Sequence, residues 1–153
     1  MIQNDVREWL KNIINDPIVT QILPHSHLTQ PQLESLLLEY AFQMPTNQRA
    51  PASIRAQFRT PPVSRGAYSR TLGQARRNVA SSVFTLLLLA YLGIMQVPPL
   101  EDYDTLATKI HEYVGSTQIY ASASPANTHT LLKLRRQLQE GIDRLLQPRS
   151  SVS

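Results

Sequence analysis

Apolar side chains recur every three or four residues along most of the chain, which is the spacing of a helix face. A first amphipathic helix is predicted over residues 5–15. Pro17 interrupts it, a further apolar turn follows over 18–23, and Pro24 closes the segment. The apolar stripe of the first helix consists of Val6, Trp9, Leu10, Ile13 and Ile14.

The clearest helix start lies at Thr29. Thr29 as N-cap and Gln32 three residues later form a capping box, and Leu28 and Leu33 stand at the positions of a hydrophobic staple. We therefore predict a helix of about 15 residues. Its core-facing stripe is expected to be Leu33, Leu36, Leu37, Tyr40, Ala41 and Met44.

The proline-rich stretch 45–63 is predicted to be loop with one or two helical turns over 52–58. A long central helix begins after Ser64, a second N-cap, and runs to about Met95, bracketed by Gly93 and two prolines. Its second half is apolar nearly all round, which predicts burial on several sides. The core-facing residues of its first half are expected to be Ala67, Tyr68, Leu72, Ala75 and Val79.

Two more helices follow. One is predicted over 102–114, with Gly115 as its stop, and the other over 131–147, after a small-residue linker at 116–130. The last helix has a coiled-coil-like leucine seam, Leu131, Leu134, Leu138 and Leu145. Strand patterns are nearly absent. The expected fold is an all-α helical bundle in which 1–115 form the core and 131–147 a possible dimerisation arm.

Charge is distributed unevenly along the chain. Residues 40–100 contain seven arginines and no Asp, Glu or Lys, whereas residues 1–39 carry a net charge of −3 and residues 101–153 a net charge of zero. A local excess of guanidinium groups on an otherwise near-neutral protein is typical of a surface that binds phosphates. Nucleic acid is the first partner to consider, and solvated helix surfaces are the alternative.

Composition argues for a binding protein and against an enzyme. The chain of 153 residues has no cysteine, five glycines and no Gly-rich phosphate loop. His25 and His27 lack a third metal ligand, and His111 and Glu112 belong to no HExxH motif. We expect no cofactor and no metal. A charged N-terminal segment, without the apolar run of a signal peptide, favours the cytoplasm.

The segment PPVSRGAYSRTLGQARRN, residues 61–78, resembles the recognition-helix segment of helix-turn-helix DNA-binding proteins. The preceding LTQPQLESLLLEYAFQ is similar to the first helix of such trihelical units, including sigma-like and archaeal transcription regulators. The resemblance spans residues 27–78 and departs from the usual pattern in its long, proline-rich connection. It implies a helix-turn-helix-like unit within residues 27–95.

Helical spacing places base-reading groups on one face of this segment. Arg70, Gln74 and Arg77 share that face, and Arg and Gln are the side chains that pair with guanine and adenine in the major groove. Ser69 and Arg76 lie beside it. The remaining arginines are expected to contact phosphates: Arg49, Arg55, Arg59 and Arg65. The sequence thus predicts a transcriptional regulator of double-stranded DNA. The resemblance implies a homodimer, for which 83–92 and 131–145 are the candidate interfaces. Intramolecular core explains both segments equally well, and for 83–92 it is the expected role.

Two other functions stay open. The chain could be a helical adaptor or membrane-associated protein whose basic loop docks on an acidic protein or anionic lipid, with the uncharged run 79–100 at a membrane. It could also bind RNA, with Phe58 in a loop where a base might stack.

Overall fold

The computed structural model describes residues 2–43, 50–94 and 100–117, together with the helical positions 132, 133, 136, 139, 140, 142 and 143. Within these ranges every regular element is helical and no strand occurs, so the all-α prediction is confirmed. The elements in chain order are α1 (Ile2–Ile14), α2 (Pro17–Ile22), a 3-10 turn (Leu23–His25), α3 (Gln30–Ala41), α4 (Ala52–Ala56), α5 (Arg65–Tyr91) and α6 (Leu100–Thr117).

The chain divides into two compact units, Met1–Val83 and Phe84–Ser153, and α5 contributes residues to both. The core of the first unit forms where α1, α3 and α5 meet α4 and the turn after it. Helix α1 supplies the stripe predicted for it: Leu10 is buried, and the other four members are half-buried. The buried apolar cluster is Leu10, Leu38, Ala56, Phe58, Tyr68 and Leu72.

Helix α3 begins as its capping signals predict. The Thr29 N–H donates to Gln32 Oε1 at 3.0 Å, and the Gln32 N–H donates to Thr29 Oγ1 at 3.4 Å, which completes the capping box. The helix ends at Ala41, about three residues earlier than predicted.

The predicted core stripe of α3 is only partly right. Leu38, which the stripe omits, is fully buried, whereas Tyr40 is 59% exposed. Four polar residues of α3 are buried as well: Gln32, Glu34, Ser35 and Glu39. The reason is that α3 packs against α1 on one side and meets α4 and α5 through polar side chains on another, so its buried surface is wider than one apolar stripe.

Helix α5 is capped at both ends by the predicted residues. Ser64 Oγ accepts from the Ala67 N–H at 3.2 Å. At the other end Gly93 has φ = 66°, and the Ile94 N–H donates to the Leu89 carbonyl at 3.2 Å, which is the bond of a Schellman motif.

The burial of α5 differs from the prediction in its second half. Tyr68, Leu72 and Ala75 are buried as expected, but Val79 is 46% exposed. The expectation of burial on several sides is wrong for the segment that follows, because Leu86 and Leu89 are its only apolar residues that become even half-buried. No helix within the described ranges combines the length and hydropathy needed to cross a membrane.

Helix α6 runs through Gly115 to Thr117, so the predicted stop at Gly115 is wrong and the predicted linker begins two residues too early. Three of its four predicted apolar positions are half-buried: Tyr103, Leu106 and Ile110. The leucine seam predicted for the C-terminal helix (Leu131, Leu134, Leu138 and Leu145) lies outside the described residues.

Candidate nucleic-acid interface

The arginines of the central region separate into two groups. Arg55 and Arg59 are buried, with 7% and 6% of their surface exposed. Four others lie exposed on α5: Arg65, Arg70, Arg76 and Arg77. Arg49 lies outside the described residues. The seven guanidinium groups therefore do not share one outward surface.

Arg59 is held by the carboxylate of Glu34. Arg59 Nε donates to Glu34 Oε2 at 2.9 Å, and its Nη1 donates to Ser35 Oγ at 3.0 Å. The Thr60 N–H and the Gln30 side-chain amide also donate to Glu34, at 3.2 and 3.1 Å. Because both charges are removed from water, this cluster ties the segment after α4 to α3 at a specific position.

Glu39 binds two arginines from different helices. Arg55 Nη1 of α4 donates to Glu39 Oε2, and Arg76 Nη2 of α5 donates to Glu39 Oε1 at 3.0 Å. The Arg55 guanidinium also lies over the Tyr68 ring, 5.5 Å from its centroid. The carboxylate thus joins three helices of the first unit. The side chain of Arg76 is still 55% exposed.

These contacts correct two sequence-based expectations. Arg55 and Arg59 were expected to contact phosphates, but their guanidinium groups are buried against carboxylates of α3 and neutralise those instead. Phe58 was expected to offer a ring to a base. It is only 4% exposed, and its ring packs 5.1 Å from that of Phe42, with the Arg7 guanidinium 5.6 Å away.

The other predicted residues are exposed on two sides of α5. Arg70, Gln74 and Arg77 share one side, which we call the basic face, whereas Arg65 and Ser69 lie on another side, next to Arg76. Arg65, Ser69, Arg70, Gln74 and Arg77 are all exposed, and α5 contains no Asp or Glu in its 27 residues. Arg77 Nη2 donates to Gln74 Oε1 at 3.0 Å, so these two side chains are in contact. Among the residues that the structure describes, no ion pair involves Arg65, Arg70 or Arg77.

Two glycines lie beneath arginines of this face. A Cβ on Gly66 would come within 3.7 Å of Arg70 Nη1, and one on Gly73 within 3.5 Å of Arg77 Nη1. Both are ordinary contact distances. The two arginines therefore fold back along the helix and lie over positions that carry no side chain.

Tyr68 and Asn78 anchor α5 on α3 and on the turn before α3. Asn78 lies one turn after Gln74, and its Oδ1 accepts from Gln74 Nε2 at 2.8 Å. The Tyr68 hydroxyl donates to the Ser35 carbonyl at 3.2 Å. Asn78 Nδ2 donates to the His27 carbonyl at 2.8 Å and to Gln32 Oε1 at 3.1 Å. These bonds hold α5 at Tyr68, which precedes Gln74, and at Asn78, which follows it, so the orientation of the basic face relative to α3 is defined.

A cavity of about 400 Å³ opens beside the Glu39 cluster. Its lining includes Arg55, Arg76 and Glu39, and both arginines donate to the Glu39 carboxylate. Ser69 and Gly73 line it from α5. The cavity is therefore lined both by the ion pairs of Glu39 and by residues of α5.

Sequence reasoning overlooked Glu34 and Glu39. A signal was present, because these two carboxylates lie beside the leucines of α3 and precede a segment with an excess of arginine. A buried carboxylate requires a cationic partner, and the nearest arginines along the chain are those of 49–59.

Comparisons of the chain with protein-family models, with curated proteins and with solved structures give no match.

Proposed function

We propose that the protein binds double-stranded DNA through the exposed face of α5 and acts as a transcriptional regulator. The observation that carries the proposal is a helix of 27 residues without a carboxylate, on which Arg70, Gln74 and Arg77 form one exposed face and Arg65 is exposed on another side. Such a face meets a phosphate backbone without like-charge repulsion, and its groups can also pair with base edges.

The anchoring of α5 supports base reading as well as charge attraction. Specific pairing needs side chains held at a defined position, since a bidentate bond to guanine or adenine tolerates little displacement. Tyr68 and Asn78 fix the helix on α3, and Arg77 is oriented by its bond to Gln74. Arg65 and the half-exposed Arg76 are assigned to phosphates.

Arg55 and Arg59 have a different role in this proposal. With Glu34 and Glu39 they hold α3, α4 and α5 together as a three-helix unit, which supports α5 from behind. The resemblance to helix-turn-helix regulators fits such a unit. We propose as well that the active form is a homodimer, since proteins of this kind usually read two half-sites.

The test uses fluorescence anisotropy with a duplex selected from a random pool and with unselected duplex DNA, each at about 50 and about 200 mM salt. The logarithm of the binding constant should fall with the logarithm of the salt concentration with a slope of about −2 to −4 per chain. The four exposed arginines of α5 set this range, because each phosphate contact contributes about −0.9. A salt-independent affinity would contradict the proposal.

Single substitutions of the α5 arginines distinguish contacts to base edges from electrostatic attraction to phosphates. Arg70→Gln and Arg77→Gln should each cost about 1–3 kcal/mol on the selected duplex and less on unselected DNA. Arg65→Gln should weaken both duplexes alike. Lys11→Gln, which removes one exposed charge from α1, is the matched control and should leave binding nearly unchanged. Equal losses on both duplexes for every α5 variant would leave only electrostatic attraction.

Competitors decide between this function and the alternatives. Duplex RNA, single strands, vesicles of anionic lipid and an acidic peptide are added to the DNA complex at the same salt concentration. Displacement by vesicles or peptide at lower concentration than by duplex DNA would favour the adaptor function.

A further inference from the structure

The second half of α5 exposes an apolar face that the first half does not have. Its members lie in the second unit, after the basic residues, and Tyr91 is the most exposed of them. The exposed fractions are 69% for Phe84, 61% for Leu87, 56% for Leu88, 86% for Tyr91, 55% for Leu92 and 63% for Ile94. Leu86 and Leu89, on another side of the helix, are half-buried. We call these six exposed residues the apolar face; Phe84, Leu87, Leu88 and Tyr91 belong to α5, and Leu92 and Ile94 lie in the turn that follows it.

The spacing of the apolar face is that of a helix that packs against another helix. Phe84, Leu87, Leu88 and Tyr91 stand at positions i, i+3, i+4 and i+7, which places them on one stripe. No charged residue occurs from Val79 to Ile94. A second copy of the same stripe therefore meets no like charge, and a two-fold arrangement makes the surface complementary to itself.

The area of the apolar face is large enough for a weak dimer. With about 150–250 Å² for a whole aromatic side chain and about 60–120 Å² for an aliphatic one, the exposed fractions give roughly 400–650 Å² per chain. Two copies would bury about 800–1,300 Å², which spans the lower limit of about 1,000 Å² for a specific interface. A patch of this size on one chain commonly marks an interaction site.

From these observations we infer that two copies of the chain pair through the apolar face of α5. This assigns the surface for the homodimer of the proposed function. Tyr91 and Phe84 supply most of the contact area and Leu87 lies between them on the stripe. Because the face begins after the last arginine of α5, pairing leaves Arg65–Arg77 free to bind a polyanion. The pairing itself requires no nucleic acid, so its test is independent of the DNA-binding test.

Sedimentation velocity of the full chain, from about 1 μM to about 200 μM, tests the inference. The area predicts a dimer with a dissociation constant in the micromolar range. Leu87→Glu places two carboxylates in the interface and should raise that constant more than about tenfold. The same charge added by Thr108→Glu, at an exposed position of α6 in the same unit, is the matched control and should leave it unchanged. Circular dichroism should show equal helicity for both variants, because both positions are exposed.

Four results would overturn the inference. The wild-type chain could remain a monomer throughout the concentration range. Leu87→Glu could leave the dimer intact, or Thr108→Glu could weaken it as much. A monomer that floats with vesicles of phosphatidylcholine and phosphatidylserine, and loses this property in Leu87→Glu, would show that the face covers a lipid surface instead.

Discussion

Removal of the Arg59 charge should destabilise the first unit far more than removal of any exposed arginine. Arg59→Met keeps the length of the side chain but leaves Glu34, whose side chain is 3% exposed, as a buried carboxylate with only the Thr60 N–H and the Gln30 amide as donors. Breaking a buried ion pair in this way costs about 3–5 kcal/mol. That is a large part of the roughly 5–15 kcal/mol by which a domain is stable.

The assay is urea unfolding followed by the fluorescence of Trp9. Trp9 is the only tryptophan of the chain and packs on the core of the first unit, so its emission reports that unit. Arg70→Met is the matched control, because Arg70 is exposed and its loss should change the free energy of unfolding by less than about 0.5 kcal/mol.

A double variant keeps the experiment informative if Arg59→Met does not fold. Glu34→Gln removes the second charge while its amide oxygen can still accept from the Thr60 N–H, so Glu34→Gln/Arg59→Met should recover at least about 1–2 kcal/mol of the loss. The reasoning is refuted if Arg59→Met lies within about 1 kcal/mol of the wild type. It is also refuted if the two single costs simply add in the double variant.

Three further variants test the local structure by the free energy of unfolding. Thr29→Ala removes one half of the capping box of α3 and should cost about 1 kcal/mol, whereas no change would mean that the cap contributes nothing. Gly93→Ala forces a side chain into φ = 66° and should cost about 1–2 kcal/mol, although its Cβ would meet no atom within 4 Å; a neutral result would show that the helix end rearranges freely. Leu38→Ala, at a fully buried position, should cost about 2–5 kcal/mol, and a cost below 1 kcal/mol would contradict its place in the core.

The ends of the helices could be predicted from the sequence because the signals that set them are local. Thr29 and Gln32 bond each other within one turn, and Ser64 caps α5 in the same way. Gly93 ends α5 through its own backbone conformation. Gly115 shows the limit of such signals: its position suggested a stop, yet α6 continues to Thr117.

The candidate site was predictable in part. Helical spacing alone placed Arg70, Gln74 and Arg77 on one side of α5, and the structure shows that side exposed. The same reasoning could not tell an arginine that faces water from one that faces a carboxylate 16 or more residues away. Arg59 and Glu34 are 25 positions apart, so their pairing depends on how α3 meets the segment after α4.

The sequence by itself determined an all-helical chain, the caps of its main helices and an acid-free helix with arginines in its first half. Each of these follows from residues within a few positions of one another. Only the tertiary structure decided that Arg55 and Arg59 are buried against carboxylates and that Tyr40 and Val79 are exposed. It also decided that the second half of α5 has an exposed apolar face. The physical reason is that burial depends on which helix packs against which side of another. The spacing of residues along the chain shows which side chains share a side of a helix, but it does not show which other helix packs against that side.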